Sequence, residues 1–374
     1  MTGPEPRWRR VRRLALLAAA IALVPVLVSY VGALTRPSNS SVGVRTVEWL
    51  RDNGARGIVN RVENFYYSIN APATGGPGLH GLPQQAGVAV AGSAHARRRR
   101  AAYRPRPLRP IIHPALRGEG VWHATFAPGR ARPPVLITSF RPDPAYPRIV
   151  AGVAWIDHAR TSTWLYPGRG EPAVAMASRG PMEVPTAKRS GLVATFNSGF
   201  KLSDSAGGYA DGGHTYAPLR RGAATFVRYR DGRVDILGWS AGAIASPDLT
   251  YARQNLPLIV TGGAPNPNLS DGPAWGATLG NAVRVWRSAV GVDARGNLVY
   301  GAADAQTVQS MAQIMIHAGA VRAMELDINA YWPSFITYRT PGAGSPANLL
   351  PAMQRSPFRY LTPDDRDFFA VYVR

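Results

Sequence analysis

Residues 287–329 leave the chain few ways to fold. They run Arg-Ser-Ala-Val-Gly-Val-Asp, a polar turn over 293–297, an apolar run from Leu298, a helical stretch, Gly319, and then Ala-Met-Glu-Leu-Asp-Ile-Asn. The apolar period changes from two to 3.6 and back, so the spacing predicts strand, turn, strand, helix, strand. Between Thr307 and Ala318, the residues Val308, Met311, Ala312 and Met315 fall on one stripe. Asp304 or Thr307 is placed to cap that helix at its start, and Gly319 to end it. The last strand stops on Glu325 and Asp327, which two-residue spacing puts on one face. Two carboxylates on one face, with Arg287 in the same unit, suit acid–base chemistry on an anionic substrate.

The rest of the C-terminal two thirds reads mainly as strands. They are expected at 121–126, 135–140, 149–157, 192–197, 224–230, 234–238, 256–261 and 368–373. Asp231-Gly232 between two of these runs is a hairpin signal. Weaker helical patterns fall at 248–255 and 351–355. Many strands and few helices predict an α+β domain on a mixed or antiparallel sheet.

The N-terminus carries a different signal. Arg7, Arg9, Arg10, Arg12 and Arg13 precede an uncharged apolar run over 14–34. A run of that length crosses a hydrocarbon core of ~30 Å. The arginines ahead of it would keep the N-terminus cytoplasmic and put the rest of the chain outside, as a single-pass cell-membrane protein. A cleaved signal peptide, with Val31-Gly32-Ala33 as the cleavage site, is the rival reading, although the run exceeds the usual apolar length of such signals. Residues 35–70 read as a juxtamembrane helical segment. Val47, Leu50, Ile58, Val62 and Phe65 or Tyr66 share a side, and Asn53-Gly54 interrupts it, so one helix or two short ones fit. Residues 71–117, rich in Pro, Gly, Ala and Arg, read as a linker. The organisation expected is thus a basic tail (1–13), a transmembrane helix (14–34), the juxtamembrane segment (35–70), the linker (71–117) and the folded domain (118–374).

Charge and cysteine content narrow the function. The formal net charge is +21. Eighteen arginines but only five acidic residues lie in residues 1–120, so much of the excess sits in the tail and linker. The run over 97–100 and the arginines after it would suit a nucleic acid. With that linker outside the cell, lipid headgroups and anionic wall polymers are the nearer partners, and no nucleic-acid partner is expected. Cysteine is absent, which rules out disulfides, thiolate metal sites and a cysteine nucleophile.

Three blocks together give a family resemblance. Ala194-Thr195-Phe196-Asn197-Ser198-Gly199-Phe200, Arg287-Ser288-Ala289-Val290-Gly291-Val292-Asp293, and the stretch from Thr307 through Gly319-Ala320 to Glu325-Leu326-Asp327 occur in order. In order and spacing they resemble the phosphodiester glycosidase family. The family's glycines after the aspartate are replaced here by Ile328-Asn329-Ala330-Tyr331-Trp332. Glycines there would let backbone N–H groups approach a phosphate closely.

The resemblance implies hydrolysis of a sugar-1-phosphodiester at the sugar–oxygen bond, releasing a free sugar and a phosphomonoester. On that reading Asp327 is the key carboxylate, as base or nucleophile, Glu325 its same-face partner, and Arg287 the phosphate holder. Asn197 would bind sugar or phosphate oxygens. Asp211 and His214 in the glycine-rich loop over 207–214, together with Asp304, Asn329 and Ser334, are the remaining candidate substrate contacts. Trp275, Trp286 and Trp332 have the surface to stack on a sugar or fill the core. The structural alternatives are an Arg322 partner for Glu325 and an Arg287–Asp327 ion pair. No cofactor is implied. Asp293, Asp304, Glu325 and Asp327 supply oxygen ligands for a divalent cation, and nothing in their spacing demands one. The function expected is a membrane-anchored, extracytoplasmic hydrolase of sugar phosphodiesters in the cell envelope. The alternative is a non-catalytic envelope protein of the same fold that binds anionic glycan.

Overall fold

A computed structural model describes residues 7–88, 104–125, 133–276, 284–339 and 342–374. The arginine run over 97–100 and the end of the strand expected at 121–126 lie outside these residues. The chain divides into two compact units, Met1–Glu63 and Asn64–Arg374.

The first unit is helical. Helix α1 (Arg7–Thr35) has 29 residues, with Pro25 inside it. At 1.5 Å per residue it is about 43 Å long, and it is long and apolar enough to cross a membrane. Helix α2 (Val42–Leu50) begins at Ser41, whose side chain accepts from the Val44 N–H. Asn53 and Gly54 then leave helical geometry, Gly54 at φ +88°, where a side chain is strained and glycine is not. Helix α3 (Arg56–Ile69) follows. The Asn-Gly break therefore yields two helices rather than one.

In the second unit the strands are, in chain order, β1 (His123–Ala124), β2 (Val135–Phe140), β3 (Ala151–Ile156), β4 (Thr161–Tyr166), β5 (Leu192–Asn197), β6 (Tyr209–Asp211), β7 (His214–Ala217), β8 (Ala224–Tyr229), β9 (Val234–Gly238), β10 (Leu249–Gln254), β11 (Leu258–Thr261), β12 (Ala264–Pro265), β13 (Val285–Asp293), β14 (Leu298–Gln306), β15 (Ala320–Glu325), β16 (Phe335–Thr337), β17 (Ala347–Asn348) and β18 (Phe368–Val373). Among the described residues the α-helices interspersed with these strands in chain order are the single turn α4 (Leu202–Ser205) and α5 (Val308–His317), with short 3-10 turns elsewhere. The strands form three sheets: β1-β2-β3-β14-β13-β15-β11-β12, β7-β6-β10-β8-β9 and β17-β16-β5-β18-β4. Every pairing between neighbouring described strands is antiparallel. The architecture is α+β, and the open choice between mixed and antiparallel resolves to antiparallel.

The largest sheet is buried on both faces. Val290, Val292, Tyr300 and Met324 join a core shared with Phe196, Phe226 and Phe369. Ala289, Val299 and Ala323 face the other way, against Met311, Ile314 and Met315 of α5. Period-two alternation thus feeds two cores, which is why β13 is apolar almost throughout. Gly291 explains itself here, because a Cβ on it would lie 2.4 Å from the Arg322 carbonyl oxygen. Helix α5 starts with a capping box: the Ser310 N–H donates to Thr307 Oγ1 at 3.1 Å and the Thr307 N–H to Ser310 Oγ at 2.9 Å. Thr307→Ala is expected to cost about 1 kcal/mol, read as a lower denaturant midpoint at unchanged slope.

Three sequence expectations need correction. Residues 248–255 form strand β10, not a helix, because β6 and β8 pair with it on both sides and tertiary pairing overrides a weak local preference. Residues 351–355 form turns and no helix. The described parts of the 71–117 linker are tied to the folded unit, so that unit begins before residue 118. The Gly75 N–H donates to the Ala145 carbonyl, Leu108 N–H to Gly120, and Trp122 Nε1 to the Arg106 carbonyl. Strands β4, β6, β7, β12, β16 and β17 have no counterpart in the sequence pattern. They are short or polar, and their neighbours rather than their own pattern define them.

Candidate active site

The three sequence blocks meet where β5 and β15 end and β13 begins. Asn197, the last residue of β5, is buried. Its Nδ2 donates to the Ser198 carbonyl (2.9 Å) and Ser288 Oγ (3.1 Å), and its Oδ1 accepts from Tyr300 Oη and the Ser334 N–H, both at 3.0 Å. The amide has two donors and two acceptor lone pairs, and all are used. Asn197 is therefore a knot joining three strands and the segment before β16. Ser288 Oγ in turn donates to the Asp327 carbonyl at 2.8 Å, and the Asp327 N–H to the Ser198 carbonyl at 3.3 Å. The first and third blocks are thereby locked side by side.

Arg287 and Glu325 lie on the α5 side of the sheet, by their alternation with Ser288 and Met324. They form a fully buried ion pair through Arg287 Nη1 and Glu325 Oε1. Arg287 Nε donates to the Gln306 carbonyl at 3.0 Å, and Asn255 Nδ2 to the Glu325 carbonyl at 2.6 Å. The partner of Arg287 is thus Glu325 and not Asp327. Arg322 does not pair with Glu325; it holds Asp235 at 2.6 Å. Burial pushes the Glu325 carboxyl upward, opposed by the Arg287 guanidinium.

Four polar atoms in this group have no hydrogen-bond partner although buried: Arg287 Nη2, Glu325 Oε2, Gln306 Oε1 and Asn255 Oδ1. Ser198 Oγ, one residue past Asn197, is a fifth. Each such group costs about 1–3 kcal/mol. Their concentration on four residues already bonded to one another, and on the adjoining loop, marks a place suited to polar ligand groups.

Asp327 lies past the end of β15 and is 6 % exposed. Its Oδ2 accepts from Arg366 Nη2 at 2.6 Å and its Oδ1 from the Asn329 N–H at 3.1 Å. The Arg366 guanidinium also donates to the Gly199 carbonyl and sits 5.0 Å from the Trp332 ring centre. Arg359 and Arg355 lie over the same indole, at 5.2 and 5.4 Å, and share Asp364 between them. Burial opposes it, yet those two guanidiniums hold the Asp364 carboxyl below its ordinary range. Where the resemblance calls for glycines, this chain thus places an indole ringed by arginines.

No motif singles out this C-terminal cluster, or the buried Arg253–Asp367 pair at 2.7 Å beside it. With 43 Lys and Arg residues in the chain, no single arginine stands out. The clustering of Asp364, Asp365 and Asp367 around Arg366 just before the last strand is the one signal that was available.

The remaining candidates are placed as follows. Ser334 is buried, with its hydroxyl between Tyr360 Oη (2.9 Å) and Arg359 Nη1 (3.0 Å). Asn329 closes a turn, accepting from the Tyr331 N–H. Asp304 is exposed on β14 and accepts from the Ala305 N–H. Asp211 and His214 face each other across the β6–β7 hairpin, in a different sheet from β15. Trp275, Trp286 and Trp332 are all buried. Asp293 is used within its own turn, accepting from Arg295 N–H, Asn297 N–H, Asn297 Nδ2 and Trp155 Nε1. Among the described residues no group of three or more His, Asp or Glu side chains is arranged to hold a metal ion.

Burial pushes the Asp211 carboxyl up to about 6. A carboxyl raised in the folded state adds stability below its unfolded pKa and loses it as pH rises through the folded value. Asp211→Asn removes that loss. The variant is expected to match the parent at pH 4 and to exceed it by about 1 kcal/mol at pH 8, read by thermal melts at both values.

Part of the chain is similar to known proteins. Residues 185–327 match the phosphodiester glycosidase family, a stretch that contains all three blocks. The family consists of enzymes, glycosidases that act on phosphodiesters. Arg355, Arg359, Asp364 and Arg366 lie beyond the matched residues. Among solved structures, the chain is similar to the zebrafish N-acetylglucosamine-1-phosphodiester alpha-N-acetylglucosaminidase catalytic domain auto-inhibited by its pro-peptide. That match has 17 % identity and a TM-score of 0.43, and covers 67 % of this chain and 86 % of the other. It is also similar to a hypothetical protein from Synechocystis, at 13 % identity and a TM-score of 0.39, covering 67 % of this chain and 65 % of that one. No curated protein sequence matches the chain.

Proposed function

We propose that the protein is a membrane-anchored hydrolase of sugar-1-phosphodiesters, releasing a free sugar and a phosphomonoester outside the cell membrane. The observation that carries the reading is the junction of the three blocks, where buried polar atoms of Ser198, Asn255, Arg287, Gln306 and Glu325 stand without partners beside Asp327. Asp327 is the carboxylate of the reaction, Arg366 the cation nearest to it, and Arg287 with Glu325 the charged support behind them. A phosphate leaving group needs little protonation, so charge stabilisation carries more of the work than a strong general acid. Anchoring rests on α1 and the five arginines at its start, which favour a cytoplasmic N-terminus.

A second reading has its own support. Asp327 and Arg287 are each already neutralised and buried, which suits a non-catalytic protein of the same fold that binds anionic envelope glycan. One experiment separates the two. The full chain, purified in detergent, is incubated with a panel of sugar-1-phosphodiesters, with and without divalent cations, and free sugar is measured. Turnover establishes the hydrolase. Saturable binding of anionic glycan without release of sugar from any substrate would replace it with the second reading.

A further inference from the structure

Helix α3 carries an apolar stripe that is exposed among the described residues. Ile58, Val62, Phe65, Tyr66 and Ile69 are each between 58 and 67 % exposed. At 3.6 residues per turn they lie on one side, about 100° wide. The helix also has an exposed polar side, with Arg61, Asn64 and Ser68, and a more buried one. Val59 is buried, and Glu63 is held by Arg51 at 2.6 Å. Tyr67, on the far side from the stripe, joins Phe200, Val285 and Ile328.

The contacts within the first unit say what lies next to it. Helix α2 is fastened to the C-terminal end of α1. Tyr30 Oη and Thr46 Oγ1 are 2.9 Å apart, Trp49 Nε1 donates to Ser29 Oγ at 3.0 Å, and the Tyr30 and Trp49 rings are 5.0 Å apart. Arg45 also donates to the Leu34 carbonyl. The Arg51–Glu63 pair then ties α3 to the end of α2. Each tie leads back to the last turns of the one helix apolar enough to enter a bilayer. Arg61 is exposed beside the stripe, a position suited to a phosphate headgroup. An amphipathic helix of modest overall apolarity with a basic flank lies in the plane of a membrane interface.

We propose that the Ile58–Ile69 stripe of α3 is embedded in the outer headgroup region of the bilayer that α1 crosses. It forms a second, in-plane attachment. The inference rests on the anchoring reading of α1 given above.

The absence of cysteine makes the test clean. Single variants Phe65→Cys, Asn64→Cys and Leu23→Cys of the full chain are labelled with an environment-sensitive fluorophore. They are reconstituted into phosphatidylcholine–phosphatidylglycerol vesicles containing a headgroup-proximal doxyl-lipid quencher, with iodide as the aqueous quencher. The Phe65→Cys label is expected to be quenched by the lipid probe about threefold more than the Asn64→Cys label, and less by iodide. The Leu23→Cys label reports α1 separately, in vesicles whose doxyl group lies deep in the acyl chain, because residue 23 is mid-run and out of reach of a headgroup probe. If that deep lipid probe does not reach it, the anchoring reading and this inference fall together. If it is reached while Phe65→Cys and Asn64→Cys respond alike to iodide, only the inference falls. Disulfide cross-linking between two unlabelled Phe65→Cys chains, with shielding from both quenchers, would assign the stripe to a second copy and overturn the lipid assignment.

Discussion

Asp327→Asn is expected to lower turnover of a sugar-1-phosphodiester by about 10²–10⁴-fold, the usual range for removing a positioned acid or base. The substitution keeps shape and removes charge. Because Arg366 donates to this carboxylate at 2.6 Å in a nearly closed setting, the variant also leaves a guanidinium under-compensated, and some stability is lost with it. Activity is therefore compared at a temperature where circular dichroism and the melting curve show both proteins folded. Arg366→Lys is the companion variant. It keeps the charge but loses the planar fork, so it should raise KM or lower kcat while sparing the fold. A folded Asp327→Asn protein with parental kcat would remove Asp327 from the reaction.

Asp364→Ala is the second large effect, and it falls on stability. Asp364 is buried and accepts from Arg359 Nε (2.8 Å) and Nη2 (3.1 Å), from Arg355 Nη2 (3.2 Å) and from the Arg366 N–H (2.9 Å). Removing the acid leaves two buried arginines without the carboxylate they share. Breaking a buried pair in this way costs about 3–5 kcal/mol, measured by urea unfolding. The same residue sets a pH dependence. Its folded pKa is depressed, chiefly against burial by Arg359 and then Arg355. Its contribution is thus present above the unfolded carboxyl pKa and lost as pH falls through the folded value. Stability of the parent should decline in acid, and an Asp364→Asn variant should lose that part of the decline. An Asp364→Ala protein as stable as the parent would mean that solvent reaches the arginines.

The legible parts of the fold were those whose local chemistry is self-sufficient. The β13–turn–β14–α5–β15 unit was readable because Asp293 and Gly296 make the turn, Thr307 caps the helix and Gly319 stops it. The Asn53-Gly54 break and the apolar run of α1 were readable for the same reason. Strand β10 was not, since Leu249, Tyr251 and Arg253 take their conformation from ladders on either side. The candidate site was half legible. Arg287, Glu325, Asp327 and Asn197 do come from blocks that meet, but their partners were not foreseeable. Asn197 binds Tyr300 and Ser334, and Asp327 binds Arg366, 39 residues further on.

Sequence by itself determined the residue types, the α+β class and the helix that can enter a membrane, because period, turn residues and length act over a few neighbouring positions. Tertiary structure alone decided which charges meet. Burial makes an isolated charge costly, so each carboxylate is held by whichever arginine the sheets bring nearest, and that pairing is written in the packing of distant strands.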